Sequence, residues 1–491
     1  MANVILLLIC VLCIAVFRKK LLEELHTCRL TITPLRAAVI LLLFLLFAYG
    51  TSTGIIHYDT SLYHAQSIRW IEEYGVVPGL GNLHSRLAYN SAAFCLSALY
   101  SMAFMGGQSY HCCAGFMAFL LALVCVEAFA KERIKRPKLS DFARLTAVYY
   151  LLIIFDEMVS PASDYFMVLL VFFIVIRWLD LIERKESLYL PYAFLCVLGV
   201  VALTVKLSGA LILLLVLKPA FMMIKEKRGK EIFRFLGLGI LTVLPFLVRN
   251  VILSGWLIYP FTAVDLFSFD FKIPKGMAEY DAREIQVWGR GFSDVERYGE
   301  AVSAWLPEWI RSLDGTNKIF LAMAFGGVVL LVLLIMYAIV KKKKDMADFL
   351  HVAGTLTVCF LFWLLSAPLI RYGCVFLWLT PVLVWGNLYL KISPHLDRFK
   401  IYFILIAIFG IYKLSAFGME VYKGATASYL IRQKDYDNFE TTAYELHGIT
   451  FYYPASGDRV GYRDFPSAPL RAEDIFLGDT IEEGFKDVTH Q

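Results

Sequence analysis

The chain has 491 residues, of which 59% are hydrophobic and 18% are charged, and its formal net charge is +5. A soluble domain would carry charge on about one quarter of its residues, so this composition excludes an ordinary soluble protein. The apolar residues form long blocks instead of alternating with polar ones, which is typical of transmembrane helices and argues against a membrane β-barrel. The basic residues stand beside these blocks, so they indicate membrane orientation and not nucleic-acid binding.

Clusters of Lys and Arg separate the apolar blocks and predict the topology. The clusters lie at 18–20, 131–138, 184–185, 225–230, 341–344 and 391–400. Placing them all in the cytoplasm predicts about twelve spans with both termini outside. The spans are expected at 2–17, 35–56, 110–130, 143–157, 164–182, 189–205, 207–224, 232–253, 318–340, 347–366, 372–390 and 400–417. The apolar stretch 91–105 fits this scheme only as an interfacial or re-entrant helix.

This topology predicts an all-α, polytopic transmembrane helical bundle with two parts. Residues 1–417 form the membrane domain, with long outer loops at 57–90 and 254–317. Residues 418–491 form a small extracytoplasmic C-terminal segment, whose Pro and Gly residues predict short irregular structure packed over the outer face. The phosphate-binding pattern GxxxxGK[ST] is absent from the sequence, so no ATP-driven activity is predicted.

The first outer loop begins with a carboxylate at the point where the second span ends. Asp59 stands four residues before Tyr63 and seven before Gln66, so a helix here would bring these three residues to one face. A carboxylate in this place could be the general base that deprotonates a sugar or lipid hydroxyl. It could equally be the N-cap of the helix that follows, and both interpretations stay open.

Two further acids flank the next outer turn. Asp156 stands before the Ser160-Pro161 pair and Asp164 follows it. Acidic side chains at a membrane edge are costly unless they are hydrated, paired or functional. Capping of the following helix is the favoured interpretation of Asp164, and an acid cluster that holds a divalent cation is the alternative.

Three cations are expected on the outer side, against the orientation rule. They are Lys206, Arg249 and Arg371, and Tyr372 follows the last of them. Snorkelling to lipid head groups would explain each one separately. Together with the outer carboxylates they predict a site for a lipid phosphate, which an arginine can hold through two oxygens.

These features together resemble the GT-C type of integral-membrane glycosyltransferase. The resemblance depends on an acid just after a span (Asp59), the half-buried stretch 91–105 and a second acid in the next outer turn. It extends to the Arg249-Asn250 pair, to Arg371-Tyr372-Gly373 and to the outward-facing tail. Members of this class take sugar from a polyprenyl-phosphate carrier, and the resemblance is to poorly characterised bacterial proteins of this type.

The resemblance implies inverting-type glycosyl transfer in which Asp59 is the catalytic base. Asp156, Asp164, Lys206, Arg249, Arg371, Tyr372, Tyr63 and His64 are then expected to bind substrate. Thr60 follows Asp59 where many members of the class have a second acid, so no cofactor is predicted and a divalent metal is left open. The expected partners are a polyprenyl-phosphate-linked sugar, a glycan or lipid acceptor and membrane lipids, with no nucleic acid.

Two other functions are compatible with the same residues. A flippase of lipid-linked sugars should carry polar groups through the membrane depth or on both faces, whereas the unusual polar groups here are expected on the outer face alone. A polymerase or ligase of lipid-linked oligosaccharides would use the same acid and cations. In each case the chain is expected in the cell membrane, with a role in cell-envelope polysaccharide biosynthesis.

Overall fold

The computed structural model describes residues 2–54, 56–129, 133, 136–392, 399–424, 433–472 and 475–487. The helices are α1 (Ala2–Thr31), α2 (Pro34–Thr53), α3 (Ala65–Tyr74), α4 (Leu80–Leu83), α5 (Ala92–Tyr100), α6 (Cys113–Cys125), α7 (Leu139–Ile153), α8 (Ser163–Glu183), α9 (Tyr189–Val205), α10 (Leu217–Lys225), α11 (Gly229–Ser254), α12 (Lys275–Gly289), α13 (Val302–Ser312), α14 (Gly315–Val340), α15 (Ala347–Ser366), α16 (Ile370–Ile392) and α17 (Phe399–Gly424). A π-helical turn (Thr60–His64) precedes α3, and a 3₁₀ helix (Leu207–Val216) connects α9 with α10.

Seven helical stretches within the described residues are long and apolar enough to cross a membrane. They are Pro34–Thr53, Ser163–Glu183, Leu207–Lys225, Gly229–Ser254, Gly315–Val340, Lys344–Ser366 and Ile370–Ile392. Shorter apolar helices lie at Ala92–Met105, Cys113–Phe129, Tyr189–Val205 and Ile404–Ala416. The prediction of a mostly helical chain with helices able to span a membrane is therefore confirmed, whereas the multi-pass topology of about twelve spans stays a prediction.

Helix α8 forms the centre of the bundle. Its side chains are buried on almost every side, including Phe166, Phe172 and Trp178. Helix α16 is buried in the same way and packs beside it, and both belong to one continuous apolar core. A helix that is hydrophobic all round is expected in such a central position. These two helices are thus held in the main apolar core of the bundle.

A buried charge network lies near the C-terminal end of α8. Arg144 is fully buried, and its guanidinium donates to Asp180 at 2.8 Å, to Glu127 at 2.7 Å and to Asp141 at 3.3 Å. Asp164 lies in the first turn of α8 and Asp180 lies near the end of this helix. At 1.5 Å per residue, the two residues are about 24 Å apart along the helix axis. The expectation that unusual buried polar groups gather on one face alone is therefore wrong. This network is not apparent in the sequence, because its acids lie near the basic clusters 131–138 and 184–185, where charge is expected.

The C-terminal segment forms two small antiparallel sheets. Strand β1 (Thr441–Leu446) pairs with β2 (Ile449–Pro454), and β3 (Ile475–Leu477) pairs with β4 (Phe485–Asp487). The expectation of irregular structure alone is thus wrong. The segment packs on the loop 57–90 through an apolar cluster that includes Trp70, Phe451 and Phe485. Helix α17 continues to Gly424, beyond the expected boundary at 417.

Candidate functional site

Four charged side chains from four distant parts of the sequence meet at one end of the bundle. Asp59 stands directly before the π-helical turn, and Asp164 lies in the first turn of α8. Lys206 is the residue at which α9 ends, and Arg371 lies in the first turn of α16. We refer to these four residues as the ion cluster. All four were predicted as site residues, and the fold links them through a series of ion pairs.

Arg371 lies at the centre of the ion cluster. Its Nη2 donates a hydrogen bond to Asp59 Oδ2, and its Nε lies 3.7 Å from Asp164 Oδ2. Lys206 Nζ donates to the other oxygen of Asp164 and lies 3.6 Å from the ring centroid of Tyr372, a cation–π contact. Two cations therefore neutralise two carboxylates. A bound anion would have to compete with Asp59 and Asp164 for these cations.

The capping interpretation of Asp59 does not fit the geometry. Asp59 occupies the N-cap position of the π-helical turn, but its side chain makes no capping hydrogen bond. The side chain points to Arg371 instead and is 18% exposed. Asp164 likewise makes an ion pair, and the cap position of its helix belongs to Ala162. Both carboxylates thus form ion pairs with cations. In addition, the negative charge of Asp164 stabilises the N-terminus of α8.

The protonation of the first outer loop follows from burial and from Arg371. Burial opposes the charge of Asp59, but the nearby Arg371 guanidinium outweighs this effect and lowers the pKa of Asp59 below its usual value. Burial, followed by the charge of Arg371, lowers the pKa of His57. Burial also lowers the pKa of His64 to about 3. At neutral pH the loop therefore presents an ionised Asp59 between two neutral imidazoles.

His57 is a site residue that the sequence analysis missed. Its Nε2 lies 2.6 Å from Arg371 Nη1, and its Nδ1 lies 3.1 Å from the backbone N–H of Asp59. A neutral imidazole accepts at only one nitrogen, so one of these two contacts lacks a proper acceptor. The signal was present in the sequence, because His57 stands two residues before the predicted base.

A cavity of about 680 Å³ adjoins the ion cluster. Tyr63, Lys206 and Tyr372 line it on the cluster side, with the hydroxyls of Ser163 and Ser208. An apolar wall follows, lined by Phe94, Val205, Leu207, Phe246, Phe362 and Trp363. The lining is thus cationic and aromatic at one place and apolar beside it, which suits a ligand with a charged group and a hydrocarbon chain.

Helix α12 contributes a polar wall to the same cavity. Glu279, Arg283 and Gln286 stand at helical spacings of four and three residues and all line it. Tyr89 and Tyr259 also line the cavity. These residues were not predicted, because an amphipathic helix in a long hydrophilic loop gives no sign of which of its faces covers a cavity.

The remaining predicted residues divide into two groups. Tyr63 lines the cavity, and His64 is buried behind it with its ring 5.1 Å from that of Phe94. Arg249 is not part of the ion cluster: it donates to the carbonyl of Gly75 at 2.7 Å and borders a separate small cavity. Asp156 also lies outside the cluster, because no hydrogen bond or ion pair joins its carboxylate to the four residues within the described structure. The grouping of Arg249 and Asp156 with the other residues is therefore wrong.

Metal-ligating side chains are not grouped in the part of the chain that the structure describes. Within it, no three His, Cys, Asp or Glu side chains stand together so that they could hold a metal ion. The two carboxylates of the ion cluster face cations instead.

Comparison with known proteins gives a family but no activity. No curated protein matches the chain, and no solved structure does. One family model matches residues 1–378 and is described as "Domain of unknown function (DUF8201)". The matched part contains all four residues of the ion cluster and ends before the C-terminal segment. The chain therefore belongs to the DUF8201 family.

Proposed function

We propose that this protein is a GT-C-like membrane glycosyltransferase that takes sugar from a polyprenyl-phosphate carrier at the extracytoplasmic boundary of the cell membrane. The observation that carries the proposal is the ion cluster beside the amphipathic cavity. A lipid-linked sugar combines a hydrocarbon chain, an anionic phosphate and a hydroxylated ring. The apolar wall, the Lys206–Tyr372 corner and the polar wall of α12 offer one surface for each part.

The proposed reaction is a displacement at the anomeric carbon. The acceptor hydroxyl oxygen forms the new bond to this carbon, and the bond from the carbon to the phosphate oxygen breaks with its electron pair. The acceptor proton passes to Asp59, and the released polyprenyl phosphate is stabilised by Lys206 and Arg371. The cations thus act on the leaving group and the carboxylate acts on the nucleophile.

Binding of the donor phosphate would also activate the base. In the free protein Arg371 holds the pKa of Asp59 low, which makes Asp59 a weak proton acceptor. A phosphate that takes hydrogen bonds from Arg371 weakens that pairing, and the burial of Asp59 then raises its pKa. Donor binding and activation of the acceptor are coupled in this way through a single guanidinium.

The expected topology places this reaction on the outer face. It comprises about twelve spans and an interfacial helix at 91–105, with both termini outside. In this arrangement the ion cluster lies at the outer ends of its helices, and the Arg144 network lies at the cytoplasmic end.

Transport of a lipid-linked sugar is the second candidate, favoured by the buried charges at both ends of α8. A transport route would need polar groups between the two ends. The side chains of Phe166, Phe172 and Ile176 are buried in the apolar core there, which favours transfer over transport. A polymerase or ligase would use the same cluster and differs only in the size of the group transferred.

Release of the carrier distinguishes transfer from transport. The purified protein in nanodiscs would receive lipid-linked sugars and acceptor extracted from cells that lack it, and mass spectrometry would follow free polyprenyl phosphate. We expect release by the wild-type protein and by Asp156→Asn, a matched control outside the cluster, and none by Asp59→Asn. Release at equal rates with and without Asp59, or no release at all, would contradict the proposal.

A further inference from the structure

The C-terminal segment runs along the loop that carries Asp59. The backbone N–H groups of Val460 and Gly461 both donate to the carbonyl oxygen of Ser61, at 3.1 and 2.8 Å. Ser61 lies inside the π-helical turn, two residues after Asp59. We refer to residues 457–464 as the C-terminal clamp. The family model matches residues 1–378, so the clamp comes from beyond the matched part of the chain.

Gln66 makes the most buried contact with the clamp. Only 1% of Gln66 is exposed, and its Nε2 donates to the carbonyl oxygens of Gly461 at 3.1 Å and of Asp464 at 3.0 Å. Its Oε1 has no hydrogen-bond partner among the described residues. The Gln66 amide therefore contacts the clamp only through its N–H donors. If the two carbonyls moved away, the buried N–H groups would be left without acceptors, which destabilises the folded state by the desolvation free energy of these groups.

Contacts on both sides of Gln66 extend the attachment. Arg69 Nη1 donates to the carbonyl of Tyr462 at 2.7 Å, and its guanidinium lies 5.1 Å from the Tyr462 ring centroid. On the other side, the Tyr58 hydroxyl donates to the Asp458 carboxylate, and the Arg459 guanidinium lies 5.0 Å from the Tyr58 ring centroid. The clamp thus holds the residue directly before Asp59 and the residues after it.

The segment that carries the clamp is attached to the end of α2. The Gln433 side chain donates to the carbonyl of Thr51 at 2.9 Å and accepts from the backbone N–H of His111 at 2.8 Å. The backbone N–H of Lys434 donates to the carbonyl of Ser52 at 2.8 Å. These contacts attach the segment to the end of α2, so the clamp can resist movement of the loop relative to the bundle.

A π-helical turn needs such support. Its wide i to i+5 hydrogen bonding is rare, and it is found mostly where a function requires it. Within the described structure, Asp59 gives this turn no side-chain cap, so its first residues depend on contacts from outside. Gly461 in the clamp has a φ of 68°, a backbone conformation that favours glycine over residues with a Cβ.

We propose that the C-terminal clamp positions Asp59 against Arg371 and that Gln66 is the positioning residue through which it acts. The proposal rests on the proposed function where it treats Asp59 as the base. The attachment of the loop is independent of the reaction and is measured without substrate.

Two substitutions of Gln66 test the proposal. Gln66→Met removes both donors at similar size. Gln66→Glu keeps the shape, and its buried carboxyl can donate to one carbonyl only while it is protonated. Burial raises the pKa of such a carboxyl, so its contact with the clamp is present at low pH and lost as the pH rises through that pKa. Amide hydrogen exchange of residues 58–66 in nanodiscs would be compared with the wild-type protein between pH 5.5 and 8.5.

We expect exchange in 58–66 to be roughly tenfold faster in Gln66→Met at every pH, since two hydrogen bonds of ordinary strength are lost. In Gln66→Glu the rate relative to wild type should rise with pH, and carrier release should fall over the same range. Tyr58→Phe, a milder change that removes only the hydroxyl, should give a smaller increase. Glu445→Gln on the exposed part of β1 is the control and should leave the loop unchanged.

Two results would contradict the proposal that the C-terminal clamp holds the loop. One is unchanged exchange of 58–66 in Gln66→Met, and the other is a Gln66→Glu variant whose relative exchange does not depend on pH. Faster exchange together with wild-type carrier release would show that the attachment does not position Asp59, which also overturns the proposal. If the wild-type protein releases no carrier at all, the proposed function fails, and the exchange data still decide whether the loop is clamped.

Discussion

Arg371 contacts two carboxylates and one imidazole with a single guanidinium. Its planar guanidinium presents several donors in a fixed arrangement, so a phosphate that competes with Asp59 and Asp164 can be held through two oxygens. The chemistry of the candidate site therefore depends on this residue in two ways: it sets the charge state of Asp59, and it is available to a phosphate.

Substitution of Arg371 tests the first of these roles. In Arg371→Gln the burial of Asp59 is no longer compensated by a nearby cation, so the pKa of Asp59 should rise. The base is active when ionised, and the acid limb of the pH–rate profile should therefore move to higher pH. Carrier release measured from pH 4.5 to 8 would show the shift.

The control for this experiment is Arg249→Gln, which removes an outer cation that does not contact Asp59. Its acid limb should coincide with that of the wild-type protein. An Arg371→Gln profile that also coincides with wild type would mean that Asp59 does not set the acid limb.

At the scale of elements, α8 joins two charge networks of different kinds. The ion cluster at its first turn is partly exposed and adjoins a cavity. The Arg144 network near its other end is closed, because Arg144 and Asp141 are fully buried and Ser140 also accepts from Arg144, at 2.9 Å. The first arrangement suits a site that exchanges partners, and the second suits a permanent link between α7 and α8.

Removal of Arg144 should destabilise the bundle strongly. Arg144→Leu leaves Asp141 and Asp180 buried without their main cation, and loss of one partner of a buried ion pair costs about 3–5 kcal/mol. Arg177 also pairs with Asp180 but is 35% exposed, so Arg177→Leu should cost about 1 kcal/mol or less. Thermal unfolding in detergent would compare the two variants, and equal losses of stability would contradict a structural role for Arg144.

The helices of the membrane domain could be predicted from the sequence, and several local features of the site could not. Long apolar blocks specify helices almost independently of context. The π-helical turn and the non-helical Gly373 inside α16 depend on tertiary contacts, since the Trp363 ring occupies the space where a Cβ of Gly373 would lie. The small sheets of the tail were missed because their strands are short and are fixed by packing on Trp70.

The composition of the ion cluster could be predicted because polar residues near apolar blocks are few and the topology assigns them to one face. Asp59, Asp164, Lys206 and Arg371 all follow from that argument. The topology argument does not separate these four residues from Arg249 and Asp156, which lie on the same predicted face but outside the ion cluster. Distances across more than 300 residues of sequence come only from the packing of the helices.

For the whole molecule, the predicted orientation requires 341–344 in the cytoplasm and the C-terminal segment outside. Lys342→Cys and Glu445→Cys place a thiol on an exposed residue of each part. A maleimide that does not cross membranes should label the second variant in intact cells and the first only after the cells are opened, relative to the wild-type protein with its native cysteines. Labelling of both variants in intact cells would contradict the predicted orientation. Labelling in the reverse order would contradict it and would place the ion cluster on the cytoplasmic face.

The most direct test of the central claim compares cells that make the wild-type protein, Asp59→Asn or Asp156→Asn at equal abundance in the membrane. Mass spectrometry would measure polyprenyl-phosphate-linked sugars and the surface glycan in each strain. We predict that Asp59→Asn alone accumulates one lipid-linked sugar and lacks the corresponding residue in its glycan. Unchanged pools in Asp59→Asn, or the same change in both variants, would contradict the assignment of Asp59 as the base of a glycosyltransferase.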